Sequence, residues 1–403
     1  MEKTAGNTTL CRHSAVEPFE KTFRVSVERG NIMSGYVFGL LTAMVVAFIA
    51  TPYVKKLAIK IGAVDAPNDR KVHTKIMPRM GGLAIFIGFV VALFIFLKPL
   101  TNEMLGIFIG GTIVLITGIL DDKYQLSPKW KLLGQIVGTA VVVLGFGLKI
   151  GVVNLPFGDV GLDFSTGWLA LLAVPITMVW IIGVTNAINL IDGLDGLSAG
   201  VSGIATATMG VMAIIMKDTG VAMYCFILLG AIIGFLYFNF HPAKIFMGDT
   251  GALFLGFNLA ALSIMGFKEA VFVSFIIPIV VLGVPLWDTF FAIVRRILNN
   301  KPISSADKGH LHHCLLNMGL SHRATVITIY GMSAFFGGAA ILLTKVTNAQ
   351  HTIWMTLIIL AVLGFVIHMV TEIVGLVGRK HRPILNAYER LKLKVSNSMR
   401  RGQ

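Results

Sequence analysis

Apolar segments of membrane length fill most of this chain, and nearly all of its paired acids, histidines and asparagines fall in the polar gaps at one end of them. A bilayer core of about 30 Å takes about 20 apolar helical residues. Windows of that kind run over residues 33–52, 81–98, 104–120, 132–149, 168–185, 197–216, 221–239, 250–267, 270–294, 324–344 and 352–375. The expectation is an all-α polytopic membrane protein of about eleven transmembrane helices, with the chemistry in loops at one membrane face. Ionisable groups at a bilayer boundary are costly to desolvate, so a cluster of them marks a functional site.

Composition agrees: 55% of residues are hydrophobic, 13% are charged and the mean hydropathy is +0.80, against roughly 25% charged in soluble domains. The net charge of +14 does not indicate nucleic acid, because the basic residues lie beside the apolar spans, where they act as topology signals. The chain divides into a polar N-terminal extension (1–32), a transmembrane catalytic domain (33–375) and a basic tail (376–403). The extension has no apolar core of a signal peptide. The tail reads either as an amphipathic helix on anionic membrane lipids or as a solvated topology anchor. Cys11, Cys225 and Cys314 lie in three unrelated contexts and define no disulfide framework.

Eleven spans put the termini on opposite faces, and Lys/Arg bias selects which. The 55–80 loop carries Lys55, Lys56, Lys60, Arg70, Lys71, Lys75 and Arg79, and the tail carries a second basic cluster from Arg379 to Arg401. Each connection on the other face holds a single lysine: Lys98, Lys149, Lys217, Lys268 or Lys345. The N-terminus is therefore expected outside, with the C-terminus and the acidic and histidine motifs in the cytoplasm. The outer 150–166 loop alternates β-branched residues with Gly/Pro turn signals, the pattern of a short hairpin.

Asp121 and Asp122 end the third span. Carboxylates at a helix C-terminus oppose the macrodipole, which disfavours an idle pair. In NAINLIDGLDGLSAG, Asn186 and Asn189 are spaced by three, as are Asp192 and Asp195, and Gly193 and Gly196 follow the acids. A helix would line four oxygen-bearing side chains along one stripe, whereas the glycines also allow an unwound turn. Asn and Asp oxygens with no basic partner in the segment suit a hard divalent cation bridging to a phosphate. Asp249 is either an N-cap or, with the other acids nearby, a metal ligand. Phe246 is ordinary packing or a surface for a nucleobase. In RRILNNKPISSADKGHLHH, His310, His312 and His313 suggest zinc, but sulfur ligands and a clear fourth partner are missing and the surroundings are basic, which favours anion binding.

Five ordered motifs, PNDRKVHTKIMPRMGG, DDKYQLSPKWKLLGQ, NAINLIDGLDGL, NFHPAKIFMGDTGALFLG and HLHH, span residues 67–313. Together they resemble the polyprenyl-phosphate N-acetylhexosamine-1-phosphate transferase family. The resemblance implies a bacterial plasma-membrane enzyme. It would move a sugar 1-phosphate from a UDP-sugar to undecaprenyl phosphate, release UMP, and use Mg²⁺, with Mn²⁺ as the alternative. The Arg295-Arg296 pair and the HLHH run resemble the branch whose donor is UDP-N-acetylglucosamine more than the muramoyl-pentapeptide branch. By the same resemblance, Asn189 and Asp249 hold the metal. Asp121 and Asp122 handle the lipid phosphate, and Asp192 and Asp195 organise the nucleotide or the metal shell. Lys75, Lys131, Asn186, Arg295, Arg296 and the three histidines bind the donor, with Asn239 and Phe246 at the uridine. A homodimer is compatible with this reading.

A secondary transporter also places Asn and Asp at broken helices, but near the bilayer midplane and often in repeated halves. Here they gather at one face and no internal repeat is visible.

Overall fold

The computed structural model describes residues 16–65, 76–154, 161–164, 166–266, 276–300, 302, 309–345, 361–364, 366–367 and 371. Its helices are α1 (Val16–Ile61), α2 (Gly82–Phe96), α3 (Asn102–Tyr124), α4 (Pro128–Ala140), α5 (Ala170–Leu190) and α6 (Leu197–Ile215). They continue with α7 (Thr219–Asn239), α8 (Gly248–Met265), α9 (Ile276–Val281), α10 (Gly283–Leu298), α11 (Leu311–Asn317) and α12 (His322–Lys345). Two antiparallel pairs interrupt them. β1 (Val64–Asp65) pairs with β2 (Met77–Pro78), and β3 (Val152–Asn154) pairs with β4 (Gly161–Asp163), the hairpin expected in the 150–166 loop.

The all-α polytopic architecture holds, and the count of eleven spans is not confirmed. Among the described residues, seven helices are long and apolar enough to cross a membrane: α1 from Met33, α3, α5 with the turn before it, α6, α7, α8 and α12. The 81–98 window is a helix of only 15 residues. The 132–149 window is a 13-residue α-helix that widens into a π-helical turn over Val141–Gly145. The 270–294 window contains α9 and α10, broken at Leu282. Pro285 accounts for the break, since it has no N–H to offer the carbonyl of Val281 four residues back. Most of the 352–375 window, like the basic tail, lies outside the described residues.

α8 is the axis of the bundle. Every residue from Thr250 to Met265 is buried, and α3, α5, α2 and α6 all pack on it. A helix apolar all round belongs in such a centre. α1 packs against α2 and α7, and α6 packs against α7 and α12. Leu171, Val179 and Ile49 are exposed apolar side chains on the outer helices, which suits lipid contact because a spanning helix satisfies its own backbone. Close approach between membrane helices depends on small residues. A Cβ on Gly118 would lie 2.5 Å from the Thr250 Cα, so α3 and α8 meet backbone to backbone. One turn further on, this contact delivers Asp121 and Asp122 to the N-terminus of α8. Two polar pairs tie the interior together: Tyr224 Oη donates to Asn258 Oδ1 at 2.6 Å, and Trp180 Nε1 donates to Ser263 Oγ at 3.0 Å.

Candidate active site

The C-terminal ends of α3, α5 and α7 and the N-terminal ends of α4, α6 and α8 converge, and the acidic motifs meet there. Asp122 reaches across to the head of α8. Its Oδ1 accepts from Asp249 N at 3.0 Å, and its Oδ2 accepts from Thr250 N at 3.0 Å and from Thr250 Oγ1 at 2.6 Å. A carboxylate there satisfies otherwise orphaned N–H groups and complements the positive end of the helix dipole. Gly248 makes room for it: its φ is +70°, and a Cβ would fall 2.3 Å from Asp122 Oδ2. Asp122 thus acts as an N-cap supplied from another helix, and its effect is to fix where Asp249 points.

Asp249 and Asp121 face one another across the Lys131 ammonium. Lys131 Nζ is 3.1 Å from Asp121 Oδ2 and also pairs with Asp249 Oδ2. The Asn189 side chain hydrogen-bonds the Asp249 carboxylate. Two carboxylates therefore flank a point where a positive charge is already stabilised, with the Asn189 amide beside one of them. Oxygen donors of this kind match a hard divalent cation, which keeps several waters and takes only a few protein ligands.

α5 ends at Leu190, so Asn186, Asn189, Asp192 and Asp195 do not form one helical stripe. The unwound alternative is the one adopted, because two glycines within four residues disfavour continuing the helix. Asn186 turns away to a reciprocal amide pair with Gln135, at 2.6 Å and 3.3 Å, which ties α4 to α5. Asp192 stays in the loop facing the acids. Its carboxyl is pushed up to about 8 by burial first, then by the negative charges of Asp249 and Asp122. Asp195 points elsewhere: its Oδ2 accepts from Ala243 N at 3.1 Å and lies 2.9 Å from His241 Nδ1.

Asn239 is buried and both ends of its amide are engaged with backbone, Oδ1 with Gly196 N at 3.1 Å and Nδ2 with Ile245 O at 3.0 Å. It clamps the α5–α6 loop to the α7–α8 loop. Phe246 is partly buried beside them. Its backbone N–H donates to Pro78 O and its carbonyl accepts from Gly81 N, each at 2.9 Å. Lys75 lies outside the described residues.

The histidine loop closes the site from the α10 side. His310 Nδ1 lies 2.9 Å from Asp288 Oδ2, and Leu311 N donates to Asp288 Oδ1 at 2.8 Å. Both side chains are almost fully buried. A carboxylate on Nδ1 fixes the tautomer and the ring orientation of a histidine. His312 lies against the acidic loop: a Cβ on Gly193 would be 2.4 Å from His312 Nε2. Burial, then the neighbouring His313, lowers the His312 imidazole to about 4, so at neutral pH it is an uncharged hydrogen-bonding group. The rings of His312 and His313 lie 4.2 Å apart. Arg295 and Arg296 end α10, Arg296 buried and Arg295 against Gly309 at the head of the histidine loop.

Sequence reading missed Asp288, Gln135 and Thr250. Asp288 follows an apolar stretch in VPLWDT, and an acid within a span is the signal that could have found it. Gln135 and Thr250 carry no charge, though each lies within a motif, DDKYQLSPKWKLLGQ and NFHPAKIFMGDTGALFLG respectively.

The profile of glycosyl transferase family 4 matches residues 104–267, the stretch from α3 to the end of α8. The chain is 47% identical over 362 residues to "Probable undecaprenyl-phosphate N-acetylglucosaminyl 1-phosphate transferase" of Bacillus subtilis (strain 168), covering 90% of this chain and 97% of that protein. The chain belongs to glycosyl transferase family 4. The decaprenyl-phosphate N-acetylglucosaminephosphotransferase of Mycobacterium tuberculosis (strain CDC 1551 / Oshkosh) is 36% identical over 75% of this chain and 81% of its own length. The undecaprenyl-phosphate alpha-N-acetylglucosaminyl 1-phosphate transferase of Yersinia pestis is 27% identical over 87% of this chain and 95% of its own.

Proposed function

We propose that this family 4 protein transfers N-acetylglucosamine 1-phosphate from UDP-N-acetylglucosamine to a polyprenyl phosphate, undecaprenyl phosphate in a bacterial plasma membrane. An oxygen of the lipid phosphate attacks the β-phosphorus of the donor. The bond from that phosphorus to the bridging oxygen breaks, and UMP leaves with the bridging oxygen. The observation that carries the reading is the Asp121, Asp249, Asn189 and Lys131 constellation at the mouth of an otherwise buried bundle, in a chain whose relatives bear names for this transfer.

Phosphoryl transfer requires positioning and charge neutralisation more than covalent help from the protein. Asp249 and Asn189 are suited to hold Mg²⁺, with Asp121 within reach. When bound, the ion neutralises the diphosphate and polarises the phosphorus under attack. Lys131 balances the acids and is close enough to meet a phosphate oxygen. Asp121 orients the lipid phosphate or takes a proton from it. Asp192, protonated at neutral pH before substrate arrives, can donate a hydrogen bond to an anionic donor where a second carboxylate would repel it. His312 offers an uncharged imidazole to the same donor, and Arg295 and Arg296 add positive charge from α10. The lysine and arginine bias supports a cytoplasmic position for this face, where UDP-sugars are made.

The deciding assay uses purified chain, undecaprenyl phosphate, Mg²⁺ and a panel of UDP-sugars, with UMP release measured. The expected result is release with UDP-N-acetylglucosamine and formation of the diphosphate-linked lipid sugar. Release only with UDP-N-acetylmuramoyl-pentapeptide would move the protein to the other branch, and no release with any donor would overturn the assignment.

A further inference from the structure

A second group of metal-ligating side chains lies beside the acidic site without sharing a residue with the Asp121, Asp249 and Lys131 cluster. Asp195 comes from the loop between α5 and α6, His241 from the loop after α7 and His322 from the first residue of α12. One ligand atom from each lies within 4.8 Å of the other two. His241 Nδ1 is 2.9 Å from Asp195 Oδ2, and the rings of His241 and His322 are stacked with centroids 4.2 Å apart. His322 Nε2 is shut off from water and meets no hydrogen-bond partner among the described residues. A buried imidazole nitrogen left unmet is costly. Two hydrogen bonds to backbone hold the frame, Ala243 N to Asp195 Oδ2 at 3.1 Å and Arg323 Nη2 to His241 O at 3.1 Å.

We propose that Asp195, His241 and His322 form a binding site for a zinc-type transition-metal ion, separate from any hard divalent cation at Asp249. Two imidazoles and one carboxylate are a borderline-soft donor set, which suits zinc better than magnesium. Zinc bonds of about 2.0–2.2 Å in a tetrahedron put neighbouring ligand atoms about 3.3 Å apart. The side chains of Asp195 and His241 are 17% and 36% exposed, which leaves an entry path and a fourth position for water. On binding, the metal takes the place of the hydrogen bond between Asp195 Oδ2 and His241 Nδ1, and any proton displaced from Nδ1 passes to Nε2 or to solvent. The ion would pin the head of α12 to the loops that carry Asp192 and lead into α8.

The test uses the untagged full chain in detergent, stripped by chelation and then held in excess Mg²⁺ so that oxygen-donor sites are saturated. Zinc and, separately, cobalt are titrated, following bound metal, the thermal midpoint and the visible absorption of cobalt. One zinc per chain, a raised midpoint and a tetrahedral cobalt spectrum are expected. Loss of an outer-shell partner already weakens metal sites by about 10–100-fold, so His241→Ala and His322→Ala should each weaken zinc by about 100-fold or more. His322→Gln, which keeps a polar side chain of similar reach, guards against a folding defect and should fail to bind as well. His312→Ala and His313→Ala should keep the zinc. Absence of stoichiometric zinc, zinc retained by all three variants at 241 and 322, or zinc lost in the 312 and 313 variants instead would each overturn the site.

Discussion

At the scale of single residues, the acids that look alike in sequence have different jobs. Asp122 spends both oxygens on the head of α8, whereas Asp249 and Asp121 share a cation. Asp249→Asn keeps the shape and the backbone contacts but removes a charge that a divalent ion needs. UMP release should fall by about 10²–10³-fold or more while the thermal midpoint stays near wild type. Near-normal turnover at limiting Mg²⁺ would remove Asp249 from the metal. Asp288→Asn tests the histidine loop differently, since an amide can still accept from Leu311 N but must donate to His310 Nδ1, forcing the ring proton onto Nε2. Turnover should drop by about 10²-fold with a displaced pH profile, and Asp288→Glu should restore part of it; an unchanged profile would reduce Asp288 to a packing role. The pH dependence of stability has a worked sign. The Asp192 carboxyl is about 8 in the fold against roughly 3.9 unfolded, so the native state holds the extra proton and stability falls as pH rises through that window. His312, at about 4 in the fold against roughly 6.5 unfolded, costs stability as pH falls below 6.5. The two slopes oppose one another between about pH 4 and 6.5, and only the Asp192 slope remains from 6.5 to 8. Thermal midpoints of Asp192→Asn should therefore be flatter than wild type from pH 6.5 to 8; equal slopes would show that Asp192 is not the titrating group.

At the scale of elements, hydropathy found the cores of the helices and the hairpin, because burial in lipid and the alternation of a strand leave a direct imprint on composition. It did not find where helices stop. The 270–294 window contains a break whose cause, Pro285, was visible, yet the run of apolar residues outweighed it; the π-helical turn after α4 left no comparable mark. The acidic loop shows the same limit. Spacing alone allowed a stripe of Asn186, Asn189, Asp192 and Asp195, and only the packing of α4 against α5, and of the α5–α6 loop against the loop after α7, shows that Asn186 belongs to Gln135 and Asp195 to His241. The motifs said which residues were special and their neighbours in space decided what each one does. The joint between α3 and α8 is the element on which this depends most. Gly248→Ala places a methyl group against the Asp122 carboxylate at a φ of +70°. Left-handed backbone alone costs about 1–2 kcal/mol for a residue with a Cβ, and a displaced Asp122 leaves Asp249 N and Thr250 N unmet. The variant should lose stability by about 2–4 kcal/mol and nearly all turnover, read from denaturation and UMP release on the same sample. Full activity with an unchanged midpoint would mean that the α8 cap does not hold Asp249 in place.

At the scale of the whole molecule, the site is an end-on arrangement. α8 is buried along its length, with Asp249 in its first turn and the ends of α3, α5 and α7 around it, so the polar chemistry occupies one end of an apolar bundle. A lipid-linked acceptor and a water-soluble donor can meet only at such a boundary, with the phosphate of the lipid at headgroup depth and the nucleotide approaching from water. The boundary proposed is the cytoplasmic one, and it rests on charge. The 55–80 stretch and the tail concentrate lysine and arginine, which supports the proposal that the hairpin of β3 and β4, between α4 and α5, belongs to the opposite face. In a background without the three native cysteines, a cysteine at Ser304 should react with a membrane-impermeant thiol reagent only in inverted vesicles. A cysteine at Asp163 should react only in intact cells or right-side-out vesicles. Asp163 lies in β4 and Ser304 falls in a polar stretch of the sequence, so access is expected to follow topology. If the two labelled from the same side, the connections between α4 and α10 would contain an uneven number of crossings fewer or more than the charge bias requires. The acidic end would then lose its assignment to the cytoplasm, and with it the supply of UDP-sugar on which the proposed reaction depends.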